Sequence, residues 1–202
     1  KLTLVTASVS TAVVVILAIP TAYGLARMEF PFKGAIKILI DLPMFFPELL
    51  IGLLLLLLFS NLLKLQIAFT TTAVILAEIA VSLPFAVKIL YTTFQGIDRR
   101  YELVARSLGY KPIEVFFKVS LPLAKGGVLA SLLVAFARSF GAFGAVLIFA
   151  GGVYMKTETL PVGIFLNISY GNLERATLMG FLLMAVSLIT LILFEALTQK
   201  RD

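Results

Sequence analysis

The apolar residues of this chain gather into five long runs rather than scattering. They lie near 2 to 26 (LTLVTASVSTAVVVILAIPTAYGLA), 43 to 60 (PMFFPELLIGLLLLLLFS), 67 to 87 (IAFTTTAVILAEIAVSLPFAV), 126 to 148 (GGVLASLLVAFARSFGAFGAVLI) and 177 to 197 (TLMGFLLMAVSLITLILFEAL). A helix rising 1.5 Å per residue needs about 20 apolar residues to cross a hydrocarbon core of roughly 30 Å. The pattern therefore predicts an all-α, polytopic membrane protein of about five transmembrane helices. One segment, 96 to 125, breaks the oil with an amphipathic, basic stretch, RRYELVARSLGYKPIEVFFKVSLP.

Composition agrees: of 202 residues, 60% are hydrophobic and 14% charged. Cysteine and histidine are absent, which removes disulfides, thiolate or imidazole metal sites, Cys or His nucleophiles and any histidine base. The net charge of +6 would suit nucleic acid in a soluble chain, but in a membrane chain it is first a topology signal. Threading the runs alternately puts 12 Lys and Arg on the side holding 27 to 42, 88 to 125 and the C-terminus, against four on the other. The positive-inside rule makes the first side cytoplasmic, so the chain enters from outside and its C-terminus is cytoplasmic. The first run is too long for a cleaved signal peptide and lacks a basic n-region, so it reads as a span. Without a long polar linker or a solenoid repeat, residues 1 to 202 read as one domain.

Within the break, Asp98 is placed to cap a helix whose apolar positions Tyr101, Val104, Ala105 and Leu108 share one face, with Gly109 as its C′ residue. Lys111-Pro112 permits a new start, and Ile113, Phe116, Phe117, Ser120 and Leu121 keep helical spacing until Pro122, which ends the helix or kinks the approach to the next span. Such a helical pair suits two roles: an interfacial element resting on lipid headgroups, or a docking knob for a cytoplasmic partner. Composition does not choose between them.

Gly109, nine residues, then Val119-x-Leu121-Pro122 resembles the EAA loop of ABC importer permeases, where a Glu-Ala-Ala triplet precedes the glycine. Here the triplet position reads Leu103-Val104-Ala105, with Glu102 one place early; a shift of one residue turns a side chain by about 100° around the helix. The longer string LVARSLGYKPIEVFFKVSLPL looks like the molybdate, tungstate and sulfate branch of that family. So do FARSFGAFGAVLIFAGG, TETLPVGIF, LAIPTAYGLAR, FPFKG and DLP.

The resemblance implies a type I ABC importer permease fold in a prokaryotic cell membrane. It also implies a homodimer, an ABC ATPase beneath each subunit, and an external binding protein that delivers an oxyanion. Tyr101, Glu102, Leu103, Val104, Ala105, Arg106, Leu108, Gly109, Tyr110, Pro112, Leu121 and Pro122 would form the ATPase-coupling segment. The chain has no GxxxxGK[ST] motif, so ATP and Mg would be held by the partner ATPase and this chain would bind no cofactor. The cargo implied is molybdate or tungstate, with sulfate or thiosulfate as the alternative.

Ionisable groups at membrane depth default to function. Arg138 falls near the middle of the fourth run, Glu78 near the middle of the third, and Glu48 at the outer part of the second or its approach. Arg138 and Glu78 read as a pair holding helices in register, or Arg138 as an attraction for the permeating anion. Relatives commonly read Gly-Glu-Phe-Gly where this chain has Gly141-Ala142-Phe143-Gly144, so Arg138 lacks an i,i+4 carboxylate and Glu78 is expected to supply it. Ser82 and Ser139 join these two as candidate pathway residues.

Gly141 and Gly144 suit close helix packing more than a hinge. Pro43 and Pro47 predict an irregular aromatic approach to the second span, and Thr70 to Thr72 an external gate or a helix cap. Residues 149 to 176 read as an external loop where a binding protein lands. A membrane enzyme would need paired Asp, an activated Ser or Thr, or a metal site, and the carboxylates here are scattered. A membrane scaffold or assembly factor stays open as the rival from a different class, and nothing points to nucleic acid.

Overall fold

The computed structural model describes residues 1–199, and these are helical almost throughout. In chain order the α-helices are α1 (Leu2–Arg27), α2 (Lys33–Asp41), α3 (Glu48–Leu57), α4 (Thr71–Gly96), α5 (Arg99–Ser107), α6 (Pro112–Val115), α7 (Leu121–Leu123), α8 (Lys125–Phe140), α9 (Gly144–Phe149), α10 (Leu160–Ser169) and α11 (Leu173–Gln199). A 3-10 turn, Leu42–Phe45, precedes α3, and π-helical turns occupy Leu58–Leu62 and Phe116–Ser120.

Three helices, α1, α4 and α11, are long and apolar enough to cross a membrane alone. The helices of the second and fourth predicted spans each form one half of a bent pair. Lys33–Phe45 meets Glu48–Leu62 at 115°, and Pro112–Leu123 meets Lys125–Phe140 at 72°. Both bends follow from proline. Pro47 holds an extended backbone ahead of α3, where its ring suits a break rather than a helix interior. Pro122 has no N–H for the carbonyl four residues back, and just ahead of it the helix widens so that the Leu121 N–H reaches Phe116 O instead. The amphipathic α2 was not expected in the 27 to 42 loop. The expected external loop 149 to 176 likewise contains the apolar α10, which packs on α11.

α1 packs along α4, and both pack on α8. The buried stripe of α1 recurs at Ala7, Thr11, Val14, Ala18, Ala22 and Leu25, every third or fourth residue; small side chains let membrane helices approach closely. Two clusters form the core. One, at the end where α1 finishes, joins Leu25 and Ala26 to Val87, Leu90 and Phe94. The other, at the opposite end, joins Ile51, Val74, Ala77, Val146, Phe149 and Val162. The first end carries the segments 27 to 42 and 88 to 125 and is called the basic end below. Lys200 and Arg201, counted with it from the sequence, lie outside the described residues. At that end Lys88 Nζ reaches Asp41 Oδ2 at 2.6 Å and the Lys37 ammonium sits 4.4 Å from the Tyr91 ring centre, which ties α2 to α4.

Candidate functional site

The amphipathic segment folds as its capping residues dictate. Asp98 Oδ1 accepts the Arg100 N–H at 2.9 Å and opens α5. At the other end Gly109 stands at φ +88°, the left-handed region where a Cβ is costly. The Gly109 N–H donates to Arg106 O at 3.0 Å and the Tyr110 N–H to Ala105 O at 3.2 Å, a complete Schellman closure. Tyr101, Leu103, Val104 and Leu108 all face outward, Leu108 with 73% of its surface exposed. Arg100, Tyr101, Val104, Leu108, Tyr110 and Val119 line an almost wholly apolar groove of about 560 Å3 with Ala105 among them, itself 6% exposed.

Glu102 goes the other way. It is 6% exposed, and its Oε1 accepts Arg27 Nε and the Ser120 hydroxyl, each at 2.8 Å. Arg27 Nη2 also donates to Ile97 O at 2.8 Å, and Arg99 Nη2 to Ala26 O at 3.2 Å. A buried ion pair holds when hydrogen bonds satisfy its remaining atoms, and this one fastens α5 to the end of α1 and to the Phe116–Ser120 turn. The neighbouring Leu103 is 61% exposed, so one residue's step along the helix separates an outward position from the inward one that Glu102 holds. Sequence reasoning missed Arg27 and Ser120 as its partners. The only available signals were a basic residue closing the first run and a hydroxyl beside the Leu-Pro pair.

Outside the membrane runs, Glu114 Oε2 accepts the Lys111 N–H at 2.9 Å, and Lys118 Nζ lies 3.4 Å from its other oxygen. The Lys111 backbone bond chiefly, then Lys118, hold the Glu114 carboxyl below its ordinary range. Pro112 sits at the start of α6, while Leu121 and Pro122 lie in α7 just before the 72° bend.

The polar residues at depth are arranged differently from expectation. Glu78 makes no ion pair with Arg138. Its Oε1 accepts the Thr6 hydroxyl at 2.9 Å and its Oε2 the Ser10 hydroxyl at 2.7 Å, all buried between α1 and α4. The carboxylate within 4 Å of Arg138 is that of Glu48, whose Oε1 lies 3.6 Å from Arg138 Nη2. Glu48 Oε2 also accepts the Phe143 and Gly144 N–H groups, each at 3.2 Å. The span-four helix is broken at these residues between α8 and α9, and Glu48 supplies the acceptor that two freed donors need. The Arg138 guanidinium lies 4.3 Å from the Phe85 ring centre. The Ser139 hydroxyl donates to Ser82 Oγ at 3.1 Å, and Ser82 donates to Glu78 O at 2.6 Å, so those two candidates do meet.

The glycines of the fourth run sit at a break and at a close helix contact. The chain breaks at Gly141 to Phe143, and a Cβ on Gly144 would fall 2.9 Å from Leu49 N. Thr70 is a cap, its Oγ1 accepting the Ala73 N–H at 3.3 Å.

A bundle of three continuous and two bent spans, with an outward apolar helix at its basic end, has a counterpart among solved structures. The chain of the inward-facing MetNI methionine ABC transporter superposes with a TM-score of 0.69 at 15% identity, over 97% of this chain and 93% of that one. The fold is that of a type I ABC importer permease. Residues 14–202 match the family described as binding-protein-dependent transport system inner membrane component, and the chain belongs to that family. Two relatives are the molybdenum transport system permease protein ModB of Mycobacterium tuberculosis and the molybdate/tungstate transport system permease protein WtpB of Pyrococcus abyssi. The first is 37% identical over 196 residues, covering 93% of this chain and 74% of the relative. The second is 34% identical over 185 residues, covering 92% and 71%. The chain is thus a transport permease subunit.

Proposed function

We propose that this chain, as a homodimer, forms the membrane pathway of an ATP-driven importer for molybdate or tungstate delivered by an external binding protein. The observation that carries the coupling is α5 itself, with Glu102 locked inward on Arg27 and an apolar face of Tyr101, Val104 and Leu108 left outward. Such a face on a capped, anchored helix suits a groove on a partner, and an ABC ATPase would fill that place and hold the ATP and Mg. The excess of Lys and Arg makes the basic end cytoplasmic, and with it the C-terminus. The opposite end, with the 149 to 176 segment and α10, would then receive the binding protein. Cargo follows from the relatives named for molybdenum and molybdate/tungstate transport.

The test is binding-protein-dependent uptake of radiolabelled molybdate, tungstate and sulfate into vesicles holding the complete complex. Molybdate and tungstate should enter with ATP hydrolysis; entry of sulfate alone would overturn the cargo. Leu108→Glu, on an exposed position, should abolish stimulation of the ATPase while the permease stays folded. Unchanged uptake would place the docking surface elsewhere.

A further inference from the structure

Where α1 meets α5, three arginines line a common wall. Arg27, Arg99 and Arg106 line one cleft of about 210 Å3 together with Glu102 and Leu103. The single carboxylate there is already committed, since Glu102 Oε1 accepts both Arg27 Nε and the Ser120 hydroxyl. Two positive charges are left uncompensated in a concave space. Arg99 uses one N–H on Ala26 O, which leaves the rest of its fork unoccupied. The Arg106 side chain makes no hydrogen bond or ion pair among the described residues.

Like charges around a cleft focus its field and draw in an anion. Guanidinium forks match a tetrahedral oxyanion by paired N–H donors, where an ammonium offers only a point charge. Part of the wall is fixed, because the Arg27 and Glu102 side chains are each 8% exposed and held by hydrogen bonds from both sides. The cleft therefore pre-exists its ligand.

We propose that this cleft binds a phosphate-class tetrahedral oxyanion. Arg99 and Arg106 supply the unoccupied donors and Arg27 the buried wall. The anion would bridge the end of span one to α5 and brace the joint through which α5 is anchored. The ligand chemistry has two sources, the headgroup phosphate of an anionic lipid and a free oxyanion. The site lies apart from the outward apolar groove, so it stands whatever the cargo.

The test uses the purified permease–ATPase complex in nanodiscs of phosphatidylcholine alone, of phosphatidylcholine with phosphatidylglycerol, and of phosphatidylcholine titrated with inorganic phosphate at constant ionic strength. The readout is the thermal midpoint, with native mass spectrometry for retained lipid. Phosphatidylglycerol or free phosphate should raise the midpoint of the wild type. A response to phosphatidylglycerol alone identifies a lipid headgroup, and a response to free phosphate a soluble anion. Arg106→Gln should weaken the response roughly tenfold, the loss of one or two charge-assisted hydrogen bonds, and Arg106→Lys should weaken it less. Lys125→Gln, exposed at the basic end but outside both the cleft and the apolar groove, should leave it unchanged. The proposal fails if neither ligand moves the wild type, if Arg106→Gln responds as the wild type does, or if Lys125→Gln is as damaging, which would mean a merely basic surface. It fails too if Arg106→Gln releases the ATPase while no ligand stabilises the wild type, since the cleft would then hold an acidic side chain of the partner.

Discussion

Replacing Glu48 separates two explanations of why the bent spans two and four meet where they do. If the Glu48–Arg138 ion pair holds them, removing either partner should do equal damage. The geometry says otherwise. The pair is 3.6 Å apart with both side chains more than a quarter exposed in the isolated protomer, where an ion pair contributes about 0.2 to 1 kcal/mol. The two backbone N–H groups of Phe143 and Gly144 share one carboxylate oxygen at 3.2 Å. Hydrogen bonds to a charged acceptor at the weak end of their range contribute about 1.5 kcal/mol each, so about 3 kcal/mol together. Glu48→Ala should therefore lose about 3 to 4 kcal/mol. Glu48→Gln should recover a large part of that, because its amide oxygen still accepts. Arg138→Ala should lose less than Glu48→Ala, mainly its contact with Phe85, and the coupling energy of the double mutant should stay at or below about 1 kcal/mol. Thermal midpoints of the purified permease rank the four proteins. If Glu48→Gln proves as damaging as Glu48→Ala, or Arg138→Ala matches it, charge pairing rather than capping of the break is what holds the elbow.

Further substitutions probe the same contact and the amphipathic segment. Gly52→Ala would bring a Cβ to 2.7 Å from Ala145 O, and Gly144→Ala one to 2.9 Å from Leu49 N; each should destabilise by about 1 to 3 kcal/mol, whereas Gly34→Ala, with open space around it, should leave the thermal midpoint in place. Glu114 is held below its ordinary range by the Lys111 N–H and then Lys118, so its stabilising effect is present above the unfolded carboxylate pKa of about 4 and is lost as pH falls through the folded value. The midpoint gap between wild type and Glu114→Gln should accordingly close on acidification, and a gap that widens would reverse the assignment.

The long runs were legible because hydropathy over about 20 residues is a property of sequence alone. The caps of α5 were equally so, since Asp98 and Gly109 act on backbone groups within a turn or so of themselves. The bends resisted reading for a different reason. Pro47 and Pro122 announce an interruption, but whether it ends a span or turns it depends on what the neighbouring helices offer the freed backbone groups. At Gly141 to Phe143 that offer comes from Glu48, 95 residues earlier in the chain. No local pattern carries such information, and Glu78, chosen for its depth, found hydroxyls on α1 instead. The helix α10 was hidden by its brevity, ten residues being too few to count as a span.

Glu102 shows how a single-residue offset redistributes work within one helix. Buried on Arg27, Ser120 and the end of α1, it has no surface with which to meet a partner, and in that position it does something an outward carboxylate does not. It joins α5 to α1 on one side and to the turn leading into α8 on the other, so in the proposed coupling role a push on Leu108 or Tyr101 would reach two spans at once rather than be absorbed by rotation of a short helix. The outward face is correspondingly apolar, and recognition there rests on shape and buried area. Docking without a charge at its centre depends little on salt, so association with the proposed ATPase partner should survive high ionic strength, as measured by co-elution on size exclusion. Dissociation by salt alone would mean that Arg100 at the groove's edge, and not the apolar face, provides the attachment.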